Sequence, residues 1–334
     1  MSFSSEEEFL TLIDRHFAQP SSSSPDPIRE PATLYERGDD CSVLAVKEDL
    51  CISTDLFVED IHFRRSYFPP EAIGHKSLAV NISDIAAMGA VPKGFTMCLT
   101  FPENVENAYW DKLLQGMGEL ADLFNIPLVG GDISAGDKLS FSITIWGQRA
   151  DKGRFIPRKN CADGEVIFTV GKFGLAHGGL HLLEAKKDTT PYPSLVKAHL
   201  YPEPQISAGM TLAKTDGVTS LMDLSDGLAR DLPRLLNLQQ KADLNISTDM
   251  LHPELIAWAG NNYPAGDASA IEAAVLGGED YALLGTCTVE AVETLKHSIA
   301  DFTPIGTVAR RSPEESSILL NGKAFSKKGF DHFT

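Results

Sequence analysis

Residues 74–92 read Gly74-His75-Lys76-Ser77-Leu78-Ala79-Val80-Asn81-Ile82-Ser83-Asp84-Ile85-Ala86-Ala87-Met88-Gly89-Ala90-Val91-Pro92. Leu78, Ile82 and Ile85 recur at helical spacing and predict a buried stripe, with Asn81 and Asp84 together on its flank. The helix runs from Gly74 to Met88 and stops at Gly89, a residue suited to the position after a helix end. Asp84 is the anomaly. Aspartate is a poor helix former in mid-helix, where it has no end to cap. A surface salt bridge is the plain explanation. The small neighbours Ala86, Ala87 and Gly89 leave room for a ligand and favour a metal-binding role instead.

Working outward, other acids also fall at the ends of apolar segments. Gly38-Asp39-Asp40 precedes Ser42–Val46, and Ile52-Ser53-Thr54-Asp55 ends an apolar run. Gly130-Gly131-Asp132 follows a short apolar stretch, where glycines would let a phosphate approach the backbone. Asp223-Leu224-Ser225-Asp226-Gly227 joins a strand to a helix whose start favours an anion, and Gly277-Gly278-Glu279-Asp280 comes later. Each alone reads as a turn. Together they describe costly carboxylates that need positive partners, and oxygen donors with little His or Cys nearby favour Mg²⁺ over zinc.

The strand and helix pattern around them predicts two domains, 1–150 and 151–334. In the first, a helix over 6–17 precedes strands at 42–46 and 50–54, expected to form a hairpin through Lys47-Glu48-Asp49. The helix of 74–88, a strand at 93–101, a helix at 105–125, a short strand at 127–129 and an alternating strand at 139–145 complete an α+β order. In the second, strands at 165–170 and 218–223 alternate with helices, and Asn321-Gly322 marks a hairpin turn. The Pro- and Ser-rich stretch 19–27 reads as a loop. If the acidic motifs belong together, the two domains share a site.

Composition limits the function. A formal net charge of −17 opposes non-specific nucleic-acid binding, so a phosphate ligand would need metal ions or a few placed cations. Five scattered cysteines with no CxxC pair are expected to be reduced thiols. No apolar run reaches the roughly 20 residues of a membrane span, and an acidic, Ser-rich start is unlike a signal peptide, so a cytoplasmic protein is expected. The P-loop, protein-kinase and nucleophile-elbow motifs are all missing. Glycines 171, 174, 178 and 179 are expected to serve helix–strand packing, and His177 and His181 a solvated helix face rather than zinc.

Taken in order, Gly38-Asp39-Asp40-Cys41, Ile52–Asp55, His62-Phe63, Asn81–Pro92, Gly130-Gly131-Asp132, Asp223–Gly227, Gly278-Glu279-Asp280-Tyr281 and Lys328-Gly329-Phe330-Asp331-His332-Phe333 resemble the thiamine-monophosphate kinase family. That family lies in the aminoimidazole ribonucleotide synthetase-like superfamily of ATP-dependent enzymes. The resemblance implies a fold with an α+β N-terminal domain that dimerises through its sheet and an α/β C-terminal domain closing over nucleotide. It implies phosphorylation of thiamine monophosphate by ATP with several Mg²⁺ ions, in a homodimer that binds neither nucleic acid nor membrane. By position, Asp40, Ser53, Thr54, Asp55, Asp84, Asp132, Asp223 and Asp226 would form the metal shell. Gly131, Asp132, Arg158 and Ser225 would hold ATP, and His62, Glu279 and Phe330 the thiamine phosphate. No residue is expected to act as a general base. The chain departs from the family at Gly174–Gly179, at Tyr201 and Gln205, and in the serine run 21–24, which looks like a local insertion. The alternatives are another ATP-dependent member of the superfamily, a non-catalytic thiamine-phosphate-binding protein, and a metal-dependent phosphatase.

Overall fold

The first helix, α1, spans Glu6–His16 and buries Leu12 and Ile13. It belongs to a computed structural model that describes residues 6–17, 32–35, 43–102, 105–262, 266–312, 314–327 and 329. The described residues divide into two compact units. One holds those up to Ile85 with Val91–Arg149, and the other holds Ala86–Ala90 with those from Ala150 onward.

In the first unit β1 (Ala32–Tyr35) pairs antiparallel with β2 (Val43–Ala45). The next strand, β3 (Leu50–Val58), does not form the hairpin with β2 that the sequence predicted. It pairs instead with β6 (Ser140–Arg149), nine residues in unbroken register from Leu50↔Gln148 to Val58↔Ser140. β6 takes only one edge of β3, so it does not displace β2; Lys47-Glu48-Asp49 lacks the residues a tight hairpin turn demands. Between β3 and β6 come α2 (Pro70–Ala87), β4 (Ala90–Phe101), α3 (Asn107–Phe124) and β5 (Leu128–Ala135). The sheet order is β3-β6-β4-β5, and β4–α3–β5 is a crossover whose strands run parallel. The stripe on α2 is as read: Leu78, Ile82 and Ile85 are buried. The chain then turns at Gly89, with φ +68°. Helices α2 and α3 cross backbone to backbone. A Cβ on Gly74 would lie 1.8 Å from the Leu113 carbonyl oxygen, and one on Gly116 2.0 Å from that of Glu71.

The second unit runs through β7 (Val166–Val170), α4 (Leu175–Glu184), α5 (Pro193–Leu200), α6 (Ile206–Lys214), β8 (Val218–Asp223), α7 (Leu228–Leu235) and β9 (Gln240–Leu244). It continues with α8 (Pro253–Asn262), α9 (Gly266–Leu276), β10 (Leu283–Cys287), α10 (Ala291–Ser298), β11 (Phe302–Arg310), β12 (Ile318–Leu320) and β13 (Lys323–Ala324). The strands form one sheet in the order β13-β12-β9-β11-β7-β10-β8. Among its described ladders only β9 with β12 is parallel and the others are antiparallel. Both sheets are therefore mixed. Leu228, Leu232 and Leu235 of α7 join Leu182, Leu244, Trp258 and Leu284 in the core. Asn321 and Gly322, both at positive φ, make the β12–β13 turn that their identities predicted.

Two glycine and histidine expectations change. A Cβ on Gly179 would sit 2.1 Å from the Leu195 carbonyl oxygen, so that glycine lets α4 and α5 approach, helix on helix rather than helix on strand. His177 is half-buried, with its ring 4.5 Å from that of His181 and 6.0 Å from Trp258. Burial, and then the neighbouring His181, lower its pKa to about 4, so it packs as a neutral aromatic rather than facing solvent. Among the described residues no helix is long and apolar enough to cross a membrane.

Candidate functional site

Alternation along β3 sorts its residues onto two faces. Ser53 and Asp55 face α2, while Ile52, Thr54 and Leu56 are exposed on the other side. On α2, Asp84 meets the first set. The Ser53 hydroxyl donates to Asp84 Oδ2, and the Asp55 and Asp84 carboxyl groups share a hydrogen bond. Burial and then the charge of Asp84 push the Asp55 carboxyl up to about 6. Oxygen-only donors and two carboxylates crowded together fit a hard divalent cation such as Mg²⁺, which would relieve their repulsion. The cluster also accounts for an aspartate in mid-helix better than a surface ion pair does. Asn81, one turn earlier, is buried and donates to the Ser77 carbonyl at 2.9 Å, while its Oδ1 has no hydrogen-bond partner among the described residues.

His62 lies just beyond β3. Its Nδ1 accepts the Val58 N–H at 3.0 Å, and its ring stacks on Phe57 at 5.8 Å. With Nδ1 accepting, the neutral ring carries its proton on Nε2.

In the second unit the strand β8 delivers Asp223, buried, at its end. The following loop is held from several directions. Leu224 N–H donates to the Ala282 carbonyl (2.8 Å), Tyr281 N–H to that of Leu224 (2.9 Å), and Glu279 N–H to that of Ser225 (2.7 Å). Gly278 has to be glycine there, since a Cβ would lie 2.6 Å from the Ser225 carbonyl oxygen. These bonds bring Ser225, Asp226 and Glu279 into one cluster. Glu279 adopts φ +67° and pairs through Oε2 with Nδ1 of the fully buried His199 at 3.1 Å. Asp226 is ion-paired to Arg234 (2.8 Å) and Arg230 (3.3 Å). Arg158 is exposed on a loop anchored on either side: the Pro157 carbonyl accepts Leu221 N–H at 3.2 Å, and Asn160 N–H donates to Ser220 Oγ at 3.0 Å.

Some expected site residues are not brought together. Thr54 shares a hydrogen bond with Thr144 (2.8 Å) on the face away from Asp55. Gly131 and Asp132 lie inside β5, opposite Met97 and Cys98, and not in a loop after a short strand. A Cβ on Gly131 would fall 1.9 Å from the Met97 carbonyl oxygen, so close strand pairing itself demands that glycine. Asp132 is exposed on the sheet edge opposite β3, three strand spacings or roughly 14 Å along the sheet from it. Among the described residues no three His, Cys, Asp or Glu side chains gather as a metal cluster. Asp40 and Phe330 lie outside the described residues, as does the 19–27 loop.

Sequence reasoning missed two supports, Asp231 and His199, and named Asp280 without its role. Asp231, fully buried, holds the Ser225 and Asp226 N–H groups. Burial pushes its carboxyl up to about 6, against the pull of the Asp226 N–H and of Arg234. An acid in a helix's first turn is so ordinary that it gives no signal. His199 was unmarked because its partner is distant in the chain. Asp280 accepts the Gly174 (2.5 Å) and Ala176 (2.9 Å) N–H groups at the start of α4, and desolvation raises it to about 7.

The chain is similar to known proteins along most of its length. Residues 38–148 match the family AIR synthase related protein, N-terminal domain. Thiamine-monophosphate kinase of Bacillus subtilis is 34% identical over 89% of this chain and 92% of its own length. That of Escherichia coli K12 is 33% identical over 97% and 98%. The solved structure of AaThiL complexed with AMPPCP and TMP superposes with a TM-score of 0.73 at 30% identity, over 85% of this chain and 87% of that one. With near-full-length coverage above 30% identity, the chain belongs to the thiamine-monophosphate kinase family of enzymes.

Proposed function

We propose that this enzyme transfers the γ-phosphoryl group of ATP directly, in line, to the phosphate of thiamine monophosphate, giving thiamine diphosphate and ADP. The observation that carries the reading is the Ser53–Asp55–Asp84 cluster, set in a chain related throughout to enzymes of that name. A related structure complexed with AMPPCP and TMP supports the same pair of substrates. Ser53, Asp55 and Asp84 would hold Mg²⁺ in the first unit, and in the second Asp223 and Asp226 are the candidates by position in the family. Magnesium bound there supplies the positive charge that lets two polyanions meet in an acidic protein.

The chain's own groups do the rest. A phosphate monoester has its second pKa near 6, so the acceptor oxygen is already ionised at neutral pH and no side chain has to remove a proton. His62 fits that scheme: its acceptor nitrogen is occupied by the Val58 N–H, so the neutral ring is not placed to take a proton. Glu279, held by His199, and Phe330 would orient the thiamine portion. Arg158, Gly131, Asp132 and Ser225 would contact the nucleotide, with Arg158 offering a guanidinium to its phosphates.

The test is product identity. With Mg²⁺ and ATP, thiamine monophosphate should become the diphosphate with one ADP per turnover, followed by phosphorus NMR. Thiamine itself should fail, because its hydroxyl needs a base. Efficient phosphorylation of thiamine, or release of free phosphate, would overturn the mechanism.

The enzyme is also proposed to work as a homodimer through the outer face of its first sheet. There Ile52 is 65% and Leu56 62% exposed, flanking Thr54 on a strand otherwise well ordered by β6. Burying such residues stabilises by roughly 1.5–3 kcal/mol each. Ile52→Lys with Leu56→Lys should therefore shift the mass measured by light scattering to that of one chain. A wild-type mass of one chain would refute the dimer.

A further inference from the structure

Asp231 does something that a first-turn acid does not ordinarily do. An acid near a helix start commonly reaches back to the N–H of the capping residue, which here is Gly227. The Asp231 side chain reaches further, taking the N–H of Asp226 at 2.8 Å and of Ser225 at 3.1 Å on its Oδ2. Its Oδ1 accepts from Arg234 at 2.7 Å, and the other terminal nitrogen of that guanidinium donates to Asp226 Oδ2 at 2.8 Å. One fully buried carboxylate thus fixes the backbone of two residues and, through Arg234, the side chain of the second. Burying a charge is costly even when it is paired. An apolar residue among Leu228, Leu232 and Leu235 could fill the same space without that cost. Helix stability alone does not account for the aspartate.

We propose that Asp231, with Arg234 bridging it to Asp226, is a positioning residue that presets Ser225 and Asp226 for magnesium-bound adenine nucleotide. The proposal rests on the reading of those two residues as nucleotide and metal ligands. It places their geometry under the control of a buried side chain on the helix that follows them. Residues that orient metal ligands in this way cost about 10–100-fold in affinity when changed.

The experiment compares full-length Asp231→Asn with Leu232→Ala, a buried neighbour on the same helix. Two quantities are read: hydrogen exchange of the Ser225 and Asp226 amides, and the calorimetric dissociation constant of Mg²⁺–ADP. In D231N both amides should exchange about tenfold faster, and the dissociation constant should rise about tenfold. L232A should lower the melting temperature and leave both readings near wild type. If D231N only lowers the melting temperature, or if L232A moves both readings equally, Asp231 is a structural residue and the proposal fails. Should D231N not fold, D231E, which keeps the charge but displaces it, is held to the same outcomes. The amide exchange decides positioning by itself. A wild-type chain that binds no Mg²⁺–ADP would instead overturn the ligand reading of Ser225 and Asp226, and the affinity half of the proposal with it.

Discussion

Asp84→Asn should reduce turnover by about a hundredfold or more while leaving the protein folded, and Asp55→Asn should do the same. Losing even a group behind a metal ligand costs 10–100-fold, and these two carboxylates are proposed as ligands themselves. Stability should move the other way. The Asp55 carboxyl titrates at about 6 in the folded chain against a usual value of 3.8. Because the folded value is raised, stability is fully present below about pH 4, falls as pH rises through the interval, and is at its lowest above about pH 6. The metal-free protein at pH 7 therefore carries the whole cost. With Asp55 half-buried, that cost comes to roughly 1–3 kcal/mol for a shift of about two units. Asp55→Asn should raise the metal-free melting temperature at pH 7, with the advantage disappearing below pH 4. Added Mg²⁺ should stabilise the wild type and not the variant. Near-normal turnover in Asp84→Asn would leave that residue an ordinary helix acid.

Gly74→Ala is expected to destabilise the first unit by about 2 kcal/mol, against a total stability of some 5–15 kcal/mol. Two effects compete. Alanine is the better helix former by about 1 kcal/mol. The new Cβ would lie 1.8 Å from the Leu113 carbonyl oxygen, a contact that backbone movement alone can relieve, and overpacking of that kind costs 1–3 kcal/mol or more. The clash wins. Gly116→Ala, whose Cβ would meet the Glu71 carbonyl oxygen at 2.0 Å, should behave alike, and the pair should not be additive because they relieve the same helix crossing. Gly260 on α8 is the control: nothing lies within 4 Å of its Cβ position, so Gly260→Ala should stabilise by about 0.5–1 kcal/mol. Urea unfolding measures all three. A stable Gly74→Ala would mean that α2 and α3 can separate without loss.

The helix α2 was legible because one periodicity dictates its buried face, and the acid at Asp84 stood out against it. Its relation to Asp55 was not. Nothing local in the sequence says that Ser53 and Asp55, on a different segment, point toward α2 and not away. That depends on which face of β3 the core covers. The same two-residue alternation sends Thr54 to the opposite face, although it sits between them in the chain. The glycines of 130–131 show the converse: read as a ligand loop, they are strand residues, one of them required by a neighbouring carbonyl.

From its sequence alone this protein has the helices and most of the strands of its first unit, and one turn of its second, since periodicity, the helix stop at Gly89 and the Asn321-Gly322 turn act over a few residues. The ordered acidic motifs likewise declare a phosphate-handling family, because the residue types and their order survive without knowledge of distance. Tertiary structure decided the partners. β3 joins β6 across some ninety residues, and a ladder of that separation is chosen by the whole register and not by the adjacent turn. Asp132 stands on the far edge of the sheet from Asp55, Asp226 is neutralised by arginines, and Asp231 anchors the loop before its own helix. Each of these follows from burial and hydrogen bonding between segments, where the free energy depends on what meets in space.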